Sequence, residues 1–581
     1  MTVLSKFLKN GTRNYVEGVV NGRTGSGPVR SSSCETPHNT MKIASWNVGT
    51  MRGRSSEIVE TITRRNIDLC CVQEVRWRGA STRYLTGKDS RYKFFWVGND
   101  QGTNGVGVLL AEKWVDKVYD IKRVSDRIML IKLLVGESIL TVLSVYAPQT
   151  GLTESAKDVF YDSLQTVISG LPAKEIVIPC GDWNGHVGKE SAGYEGVHGG
   201  SGYGVRNADG DRVLDFAVAN NLVIGNTYFV KRDSHLITYQ SGNANTQIDF
   251  ILLRKQHLKM AKDIKVIPNE ECVPQHKLLI CEIQLKTLKY HPNPFIPKLR
   301  YWKLNDVTVQ EDFEQVFSEK VNTIVNENTE DIWKLLKSAL LASTGEICGI
   351  TKKRHQKRET WWWNDEVSAA IAEKRRCWKL WKQSGNKEEY LQAKRNAKRS
   401  VYTAKKTAEE NKFADLKPGM NDIFKIAKQM RKDNQDIIGD KCVKDDSGNL
   451  STDIEAKKAA WKQHYERLLN EEFPWNSNNL TANSVAGPPI LITVDMVSKA
   501  IAKMKPGKAA GPSGVVAEML KAAGHAGTRL VADLANSMIR NGDMPSDWEG
   551  SFIINLYKGK GDALERGNYR GLKLLDHVMK G

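Results

Sequence analysis

Residues 175–184 read E-I-V-I-P-C-G-D-W-N, an apolar run that is followed by an acid and an amide. The apolar run, residues 176–180, is typical of a buried β-strand. Gly181 leads directly into Asp182, and Asn184 follows two residues later. Because the ends of buried strands lie at the rim of a sheet, where loops carry function, this pattern predicts a polar site at such a rim.

The surrounding sequence, residues 41–286, repeats the pattern of short strands separated by Gly-rich turns. Two stretches, 58–65 and 156–169, have apolar residues at helical spacing. Many short strands with a few helices predict an α/β sandwich of two packed sheets. The predicted strands are residues 42–48, 68–75, 105–110, 128–135, 138–146, 175–180, 222–224, 247–253 and 278–285.

Other polar residues stand in or beside these strands, so a common rim can bring them to Asp182. They are Asn47, Glu74, Asp249 and His276. Singly, each has a structural explanation, such as a turn, a solvated acid or a hydrogen-bonded histidine. Together they fit phosphodiester hydrolysis. That reaction needs a hard cation on carboxylates, a carboxylate that orients or deprotonates water, and donors for the charge on phosphate.

Six motifs occur in one order: S-W-N-V (45–48), V-Q-E (72–74), V-Y-A-P (145–148), G-D-W-N (181–184), Q-I-D-F-I (247–251) and Q-H-K-L-L (275–279). This set resembles the endonuclease/exonuclease/phosphatase superfamily, which includes apurinic endonucleases, exonuclease III and DNase I. Within it, the sequence looks most like the endonuclease of non-LTR retrotransposons of the RTE type. Proteins of the craniofacial development protein 2 type are also similar.

The resemblance implies a four-layered α/β sandwich endonuclease domain that uses Mg²⁺, or Mn²⁺ in its place, to nick DNA. It implies that Glu74 and Asn47 lie at the metal. The catalytic residues that it implies are Asp182 for water activation, Asn184 for a phosphate oxygen, Asp249 to orient the histidine, His276 for the transition state, Tyr146 for phosphate contact and Asn47 to support the acids.

Two positions depart from the pattern of the superfamily. Pro274 and Gln275 stand where Ser-Asp usually precedes the last histidine, and Gly49 stands where apurinic endonucleases often have an acid. Gln275 can still accept a hydrogen bond but carries no charge. We therefore expect lower metal affinity, with the remaining carboxylates keeping the site.

Residues 238–246 form a predicted hairpin just before Asp249. In the retrotransposon enzymes that the sequence resembles, the corresponding loop faces the DNA groove. Tyr239 is the candidate to wedge into DNA or stack on it, and packing over the sheet is an equal alternative.

Positive charge is concentrated in the middle of the chain. The net charge is +18, and residues 351–412 alone hold 18 Lys/Arg against 8 Asp/Glu. This segment also contains five tryptophans, and a single long helix is predicted over residues 363–413. Phosphate contact with aromatic stacking on DNA or RNA is one interpretation. A solvated charged face with a packed tryptophan seam is the other.

The C-terminal residues resemble the opening fingers segment of a non-LTR reverse transcriptase. Its motifs include M-P-S-D-W, Y-K-G-K-G-D and N-Y-R-G-L, with Ser513 where the family usually has Asp. By this resemblance, Lys558, Lys560 and Arg570 approach nucleotide and template. The sequence ends at Gly581, before the palm carboxylates, so we expect no DNA synthesis from it.

The predicted organisation is a disordered leader (1–40), the endonuclease domain (41–286), a mostly helical basic linker (287–490) and the partial reverse-transcriptase region (491–581). None of the nine cysteines forms a C-x-x-C pair, which indicates a reducing compartment, with the nucleus favoured over the cytoplasm. No apolar run is long enough to span a bilayer, so we expect no membrane partner.

Three functions fit the sequence. Metal-dependent DNA nicking is favoured, with DNA as the partner and RNA as a further partner of the basic segment. Phosphatase or sphingomyelinase chemistry is a second possibility on the same scaffold. The third is a catalytically weakened nucleic-acid-binding or chromatin-associated remnant of a retroelement.

Overall fold

A computed structural model describes most of the chain beyond the first 37 residues. The predicted leader up to residue 37, nearly all of the predicted boundary at 291–297 and the predicted linker at 476–489 lie outside the described residues. The described residues are 38–136, 138–273, 275–286, 297–321, 328–352, 360, 362–384, 387–414, 421–436, 442–448, 450–451, 454–471, 491–562 and 564–580.

The described residues form strands, α-helices and single-turn 3₁₀ helices. The strands are β1 (His38–Asn47), β2 (Leu69–Gln73), β3 (Ala80–Thr86), β4 (Arg91–Val97), β5 (Val106–Ala111), β6 (Val118–Ser125), β7 (Ile128–Val135), β8 (Ser138–Tyr146), β9 (Ile176–Asp182), β10 (Leu222–Ile224), β11 (Tyr239–Ser241), β12 (Ala244–Thr246), β13 (Asp249–Arg254), β14 (Ala261–Ile267), β15 (Leu278–Lys286), β16 (Val443–Lys444), β17 (Leu450–Ser451), β18 (Phe552–Tyr557) and β19 (Tyr569–Leu574). The α-helices are α1 (Ser55–Arg64), α2 (Glu112–Val115), α3 (Glu154–Ser169), α4 (Ala208–Ala219), α5 (Val307–Val321), α6 (Thr329–Ile347), α7 (Asp365–Ser384), α8 (Glu388–Ala414), α9 (Asn421–Asp433), α10 (Ile454–Leu469), α11 (Val494–Lys503), α12 (Ala517–Ala522) and α13 (Gly524–Asn541). The 3₁₀ helices are Gly225–Tyr228, Asp233–His235, Lys255–Met260, Tyr301–Asn305, Ser546–Trp548, Arg566–Asn568 and Val578–Lys580.

The chain divides into two compact units. The sandwich unit comprises Ser32–Tyr290 and Gln356–Cys442. The described part of the C-terminal unit comes from His291–His355 and Val443–Gly581. The basic helices α7 and α8 therefore group with the sandwich.

Two mixed sheets form the centre of the sandwich unit. One has seven strands in the order β14-β15-β1-β2-β5-β4-β3, and the other has six in the order β10-β13-β9-β8-β7-β6. Apolar side chains from both sheets fill one buried core between them. Helix α1 covers the outer face of the first sheet, and α3 and α4 cover that of the second. The predicted α/β sandwich of two packed sheets is confirmed.

The registers of β8, β9 and β13 line up the polar residues that the sequence singled out. Asp182 at the end of β9 lies opposite Tyr146 of β8 on one side and opposite Asp249 of β13 on the other. A Cβ at Gly181 would lie 1.8 Å from the carbonyl oxygen of Val145. Only glycine lets the two strands approach this closely just before the acid.

All predicted strands are present, but the strand prediction was incomplete. It omitted β3, β4, β6 and β14, and the helix prediction omitted α4. The single long helix predicted over residues 363–413 was wrong, because two helices, α7 and α8, occupy this stretch. Helix α7 ends at Ser384 and α8 begins at Glu388, and the intervening sequence contains Gly and Asn, residue types that favour turns.

The tryptophans of the basic segment pack where the structure describes them. Trp362 lies in a buried cluster with Val367 and Ile371. Trp378 lies in a second cluster with Tyr390, against which Trp381 stacks. Packing therefore accounts for these side chains, as the second interpretation of the segment predicted. Trp361 lies outside the described residues.

Ion pairs and hydrogen bonds fix the hairpin of α7 and α8 on the sandwich. The Lys374 ammonium, 3% exposed, donates to the carboxylate of Glu57 on α1. Arg375 pairs with Glu271 at 2.8 Å, and the Tyr390 hydroxyl donates to the Glu271 carbonyl at 3.2 Å. The hairpin is thus an integral part of the sandwich unit.

The C-terminal unit has its own core. Side chains of α5, α6, α11, α12 and α13 form a buried cluster around Trp333 and Phe317. Strands β18 and β19 pair as an antiparallel hairpin. Within the part of the chain that the structure describes, no helix is long and apolar enough to cross a membrane.

The Lys374–Glu57 pair gives a test of how the hairpin is held. Lys374→Met leaves the Glu57 carboxylate without its cation, which costs about 3 kcal/mol for a largely buried pair. We expect amide hydrogen exchange in α7 and α8 to accelerate by about 100-fold, as mass spectrometry of the full chain can measure. The double variant Glu57→Gln/Lys374→Met removes both charges and should recover most of the protection. Equal exchange in wild type and Lys374→Met would contradict this account.

Candidate active site

One amide group connects two carboxylates at the rim of the sandwich. The side-chain nitrogen of Asn47 donates to Glu74 at 3.0 Å and to Asp182 at 2.9 Å. The amide oxygen of Asn47 accepts from the Gly49 N–H at 3.0 Å. Asn47 and Glu74 come from the seven-stranded sheet and Asp182 from the six-stranded one. The contact therefore joins the ends of both sheets.

Asp182 is a buried carboxylate in an acidic neighbourhood. Burial raises the pKa of Asp182 to about 7, and the negative charge of Asp249 adds to the rise. The backbone N–H of Asn184 donates to its other oxygen at 3.1 Å. A carboxylate whose pKa lies near neutrality suits the uptake of a proton from water.

His276 and Asp249 form a buried hydrogen-bonded pair. The ring Nδ1 lies 3.0 Å from Asp249 Oδ2, and Nε2 lies 3.7 Å from Asp182 Oδ2. Burial by itself would lower the pKa of His276, but the charge and hydrogen bond of Asp249 outweigh it and raise the pKa to about 9. The imidazole is thus held as a cation whose Nε2 can donate to a phosphate oxygen.

The residues after the strand ends have unusual backbone conformations. Glu74, Arg76 and Asn184 adopt positive φ angles of 52°, 53° and 49°. Such left-handed residues other than glycine cluster at functional sites, where the surroundings hold them. The Asn184 amide donates to the Ala147 carbonyl at 2.9 Å, which fixes its side chain.

These residues surround a cleft of about 770 Å³. Of the predicted site residues, Asn47, Glu74, Asp182, Asn184, His276 and Tyr239 line the cleft. Tyr146 and Asp249 are buried beside it, and the Tyr146 hydroxyl donates to Glu74 at 3.3 Å. Burial raises the pKa of Tyr146, so its hydroxyl keeps its proton.

Tyr239 lies directly over the histidine. Its ring centroid is 4.7 Å from that of His276, and its hydroxyl accepts from the Gln275 amide at 3.4 Å. Tyr239 is half-buried at the start of the predicted hairpin, which the structure forms as β11 and β12. The tyrosine therefore both covers the histidine and faces the cleft.

The sequence interpretation missed two cations in the cleft, Arg54 and Arg76. Arg76 forms an ion pair with Glu74 and is itself exposed. Arg76 stands two residues after the acid that ends a predicted strand, and this position could have identified it as a cleft residue from the sequence. Arg54 precedes helix α1 without any motif, so no sequence signal distinguished it.

The donor set fits a hard cation at its oxygen atoms. Atoms of Asp182, Asp249 and His276 lie within 4.8 Å of one another. A protonated histidine repels a cation, however, and Mg²⁺ prefers oxygen ligands. The carboxylate of Glu74, which also lines the cleft, is therefore the better holder of a metal, and Asp182 is left to act on water. Asp249 Oδ1 is buried and lacks a hydrogen-bond partner among the described residues.

The three basic residues predicted near nucleotide and template lie in the C-terminal unit. Lys558, Lys560 and Arg570 are exposed on the β18–β19 hairpin and the loop that joins its strands. The Lys558 ammonium donates to the Gly567 carbonyl at 2.7 Å. Their binding role stays a prediction.

The sandwich carries a rim of carboxylates, amides and a histidine around one cleft. Residues 44–260 match the Endonuclease/Exonuclease/phosphatase family. The predicted resemblance to this superfamily is confirmed over that stretch.

The chain is also similar to craniofacial development protein 2, as the motifs predicted. It is 28% identical to the Bos taurus protein over 314 residues, which cover 54% of this chain and 50% of the relative. It is 30% identical to the Tragulus javanicus protein over 258 residues, 44% of each chain. The chain spans about half the length of the curated relatives it matches or less.

One similar solved structure is the endonuclease domain of TRAS1, a telomere-specific non-LTR retrotransposon. It is 15% identical, covers 43% of this chain and 100% of that domain, and has a TM-score of 0.31.

The raised pKa of Asp182 predicts how the metal-free protein responds to pH. An unfolded aspartate has a pKa of about 3.9, so between pH 4 and 7 the native state binds the proton more tightly. The stability that the proton gives is complete below pH 4 and is lost as the pH rises through 7. We expect Asp182→Asn, which cannot ionise, to be more stable than wild type at pH 8 in EDTA, by about 2 kcal/mol.

Thermal denaturation of both proteins at pH 5 and pH 8 checks this expectation. The melting-temperature advantage of Asp182→Asn should be larger at pH 8. An advantage that does not change with pH would show that ionised Asp182 carries no such cost.

Proposed function

We propose that the sandwich unit is a Mg²⁺-dependent phosphodiesterase that nicks DNA, with Mn²⁺ able to replace Mg²⁺. The observation that carries this proposal is the meeting of Asp182, Glu74 and the Asp249–His276 pair at one cleft. The cleft then has a proton acceptor, carboxylate oxygen atoms that can hold a metal, and a cation that can bind phosphate. A metal held by Glu74 would supply neutralisation of the phosphate charge.

Each residue has a task in hydrolysis. Asp182 orients the attacking water and takes its proton as the new P–O bond forms. His276, kept cationic by Asp249, donates from Nε2 to a phosphate oxygen on which charge develops. Asn184 lines the cleft, and the amide proton that it does not use on Ala147 is the proposed donor to a phosphate oxygen. The bond from phosphorus to the leaving oxygen then breaks, and the leaving oxygen takes up a proton from solvent water.

DNA is the proposed substrate because the cleft is bordered by cations and the chain is strongly basic. Arg54 and Arg76 line the cleft, and the net charge is +18. Such a surface attracts a polyanion. Together with the motifs of the retrotransposon enzymes, this supports target-site nicking of the non-LTR retroelement kind. RNA binding by the basic helices and residence in the nucleus are part of the same proposal.

A second candidate is a nucleic-acid-binding remnant with weakened catalysis. It is favoured by Gln275, an uncharged residue that lies in the cleft beside His276. An amide there bonds to Tyr239 and offers no negative charge to a metal.

Plasmid nicking separates the two candidates. Wild type should convert supercoiled plasmid to the nicked circle in Mg²⁺ and not in EDTA. Glu74→Ala removes a metal-holding carboxylate and His276→Ala removes the phosphate-binding cation. Each should lower the rate by about 100-fold or more, as seen by gel electrophoresis.

His257→Ala is the matched control, since His257 lies on the Lys255–Met260 turn and does not line the cleft. It should nick as wild type does. If wild type binds plasmid but nicks it no faster than Glu74→Ala and His276→Ala, the binding remnant is the correct function.

A further inference from the structure

A second, smaller cleft lies on the sandwich unit beside the catalytic one. It has a volume of about 440 Å³ and is formed by Arg52, Trp77, Arg78, Arg83 and Trp96. Three arginines and two indoles are an unusual lining. We call this group the arginine–tryptophan cleft.

The arginines of this cleft carry uncompensated charge. None of Arg52, Arg78 and Arg83 forms an ion pair with an acidic residue among those that the structure describes, although ion pairs are frequent elsewhere in the unit. Partial desolvation lowers the pKa of Arg83, and no acidic neighbour opposes this effect. A cation in such a place favours an anionic ligand.

The indoles hold the central arginine in position. The Arg83 guanidinium lies 4.0 Å from the centroid of Trp77 and 5.5 Å from that of Trp96. The two indoles meet edge to face at 5.1 Å. Trp96 is 8% exposed, and its Nε1 lacks a hydrogen-bond partner among the described residues. The packed indoles thus hold the guanidinium in one orientation. Its N–H donors lose less conformational entropy when they bind a ligand.

Helix α8 of the basic hairpin adds cations near this cleft. Lys405 donates to the Ser56 hydroxyl at 2.9 Å and lies over Trp362. Its surroundings, and then the charge of Arg83, lower the pKa of Lys405 to about 8. About two turns earlier in α8, the Lys398 side chain lies 3.1 Å from the position that a Cβ on Gly53 would take. An anion bound among these groups would relieve their mutual repulsion.

Two loops run continuously from the catalytic cleft into the arginine–tryptophan cleft. In the first, Thr50 lines the catalytic cleft and Arg52 lines the second. In the second, Arg76 lines the catalytic cleft and Trp77 is the next residue. Neighbouring Cα atoms are about 3.8 Å apart, and phosphates of one DNA strand advance about 3.4 Å along the axis per nucleotide. A strand leaving the catalytic cleft reaches the second cleft within a few nucleotides.

We propose that the arginine–tryptophan cleft binds backbone phosphates of the DNA that flanks the scissile phosphate. This inference rests on the proposed nuclease function only where it places the bound phosphates beside a phosphate that is cleaved. The binding itself depends only on the charges and geometry of the cleft. The hairpin of α7 and α8 is then part of the DNA-binding surface, through its lysines rather than its tryptophans.

Binding of a fluorescent 30-base-pair duplex to the full chain in EDTA tests the proposal without cleavage. Arg78→Gln/Arg83→Gln should weaken affinity at least fivefold. The slope of log affinity against log salt should fall by about 1 to 2, because each lost phosphate contact contributes about 0.9. Arg52→Gln, an exposed side chain whose loss does not threaten folding, should lower the slope by about 1.

The matched control is Lys259→Gln/Lys262→Gln, which removes two exposed charges at or beside β14, at the opposite edge of the seven-stranded sheet from β3. It should bind as wild type does. The proposal is overturned if the arginine variants keep the wild-type affinity and slope, if the control loses as much, or if the loss appears with a 30-nucleotide RNA and not with the duplex. If wild type fails to nick plasmid and the arginine variants still lose duplex binding, the nuclease function fails and the DNA-binding cleft stands.

Discussion

The hydrogen bonds of the Asn47 amide hold the site together, since they tie a carboxylate from each sheet to one nitrogen atom. A buried acid and a half-buried acid that accept from the same nitrogen repel each other, and a neutral donor between them offsets part of that repulsion. The amide can do so only because its oxygen is already bonded to Gly49, which fixes its orientation. The rest of the rim is arranged around this contact: Tyr146 approaches Glu74, and His276 approaches Asp182.

The contact of Asn47 with the two carboxylates is accompanied by unfavourable features, which packing elsewhere in the fold stabilises. Burial opposes ionisation of Asp182, and left-handed backbone at Glu74 and Asn184 stores strain. Apolar cores on both faces of each sheet, with the close approach of β8 and β9 at Gly181, supply the rigidity that keeps these groups in place. A sandwich is suited to this, because the end of a buried strand cannot move without disturbing its packed neighbours.

Local sequence could predict the strands that end in the site and the residues that meet there. Residues 176–180 of β9 are apolar throughout, and the motif order identified Asp249 and His276 far from Asp182 in sequence. The remainder depends on tertiary contacts. Strand β3 is largely polar and only one of its seven residues is buried, so no apolar period marked it. The break between α7 and α8, the burial of Lys374 against Glu57, and the place of Arg54 arise from packing between segments that the sequence does not juxtapose.

The hairpin of α7 and α8 changes how the charge of the chain should be understood. Excess Lys and Arg in a separate linker would attract nucleic acid without positioning it. Held on the sandwich by Lys374, Arg375 and Tyr390, the same residues have fixed positions relative to the catalytic cleft. The buried charge of Lys374 pairs with the sandwich and holds the hairpin in place. The side chain of Lys398 lies instead beside Gly53, in the loop that borders the cleft. Because affinity follows from charges that remain unpaired and oriented, the distribution of cations over this surface would determine the path of a bound polyanion more than the net charge does.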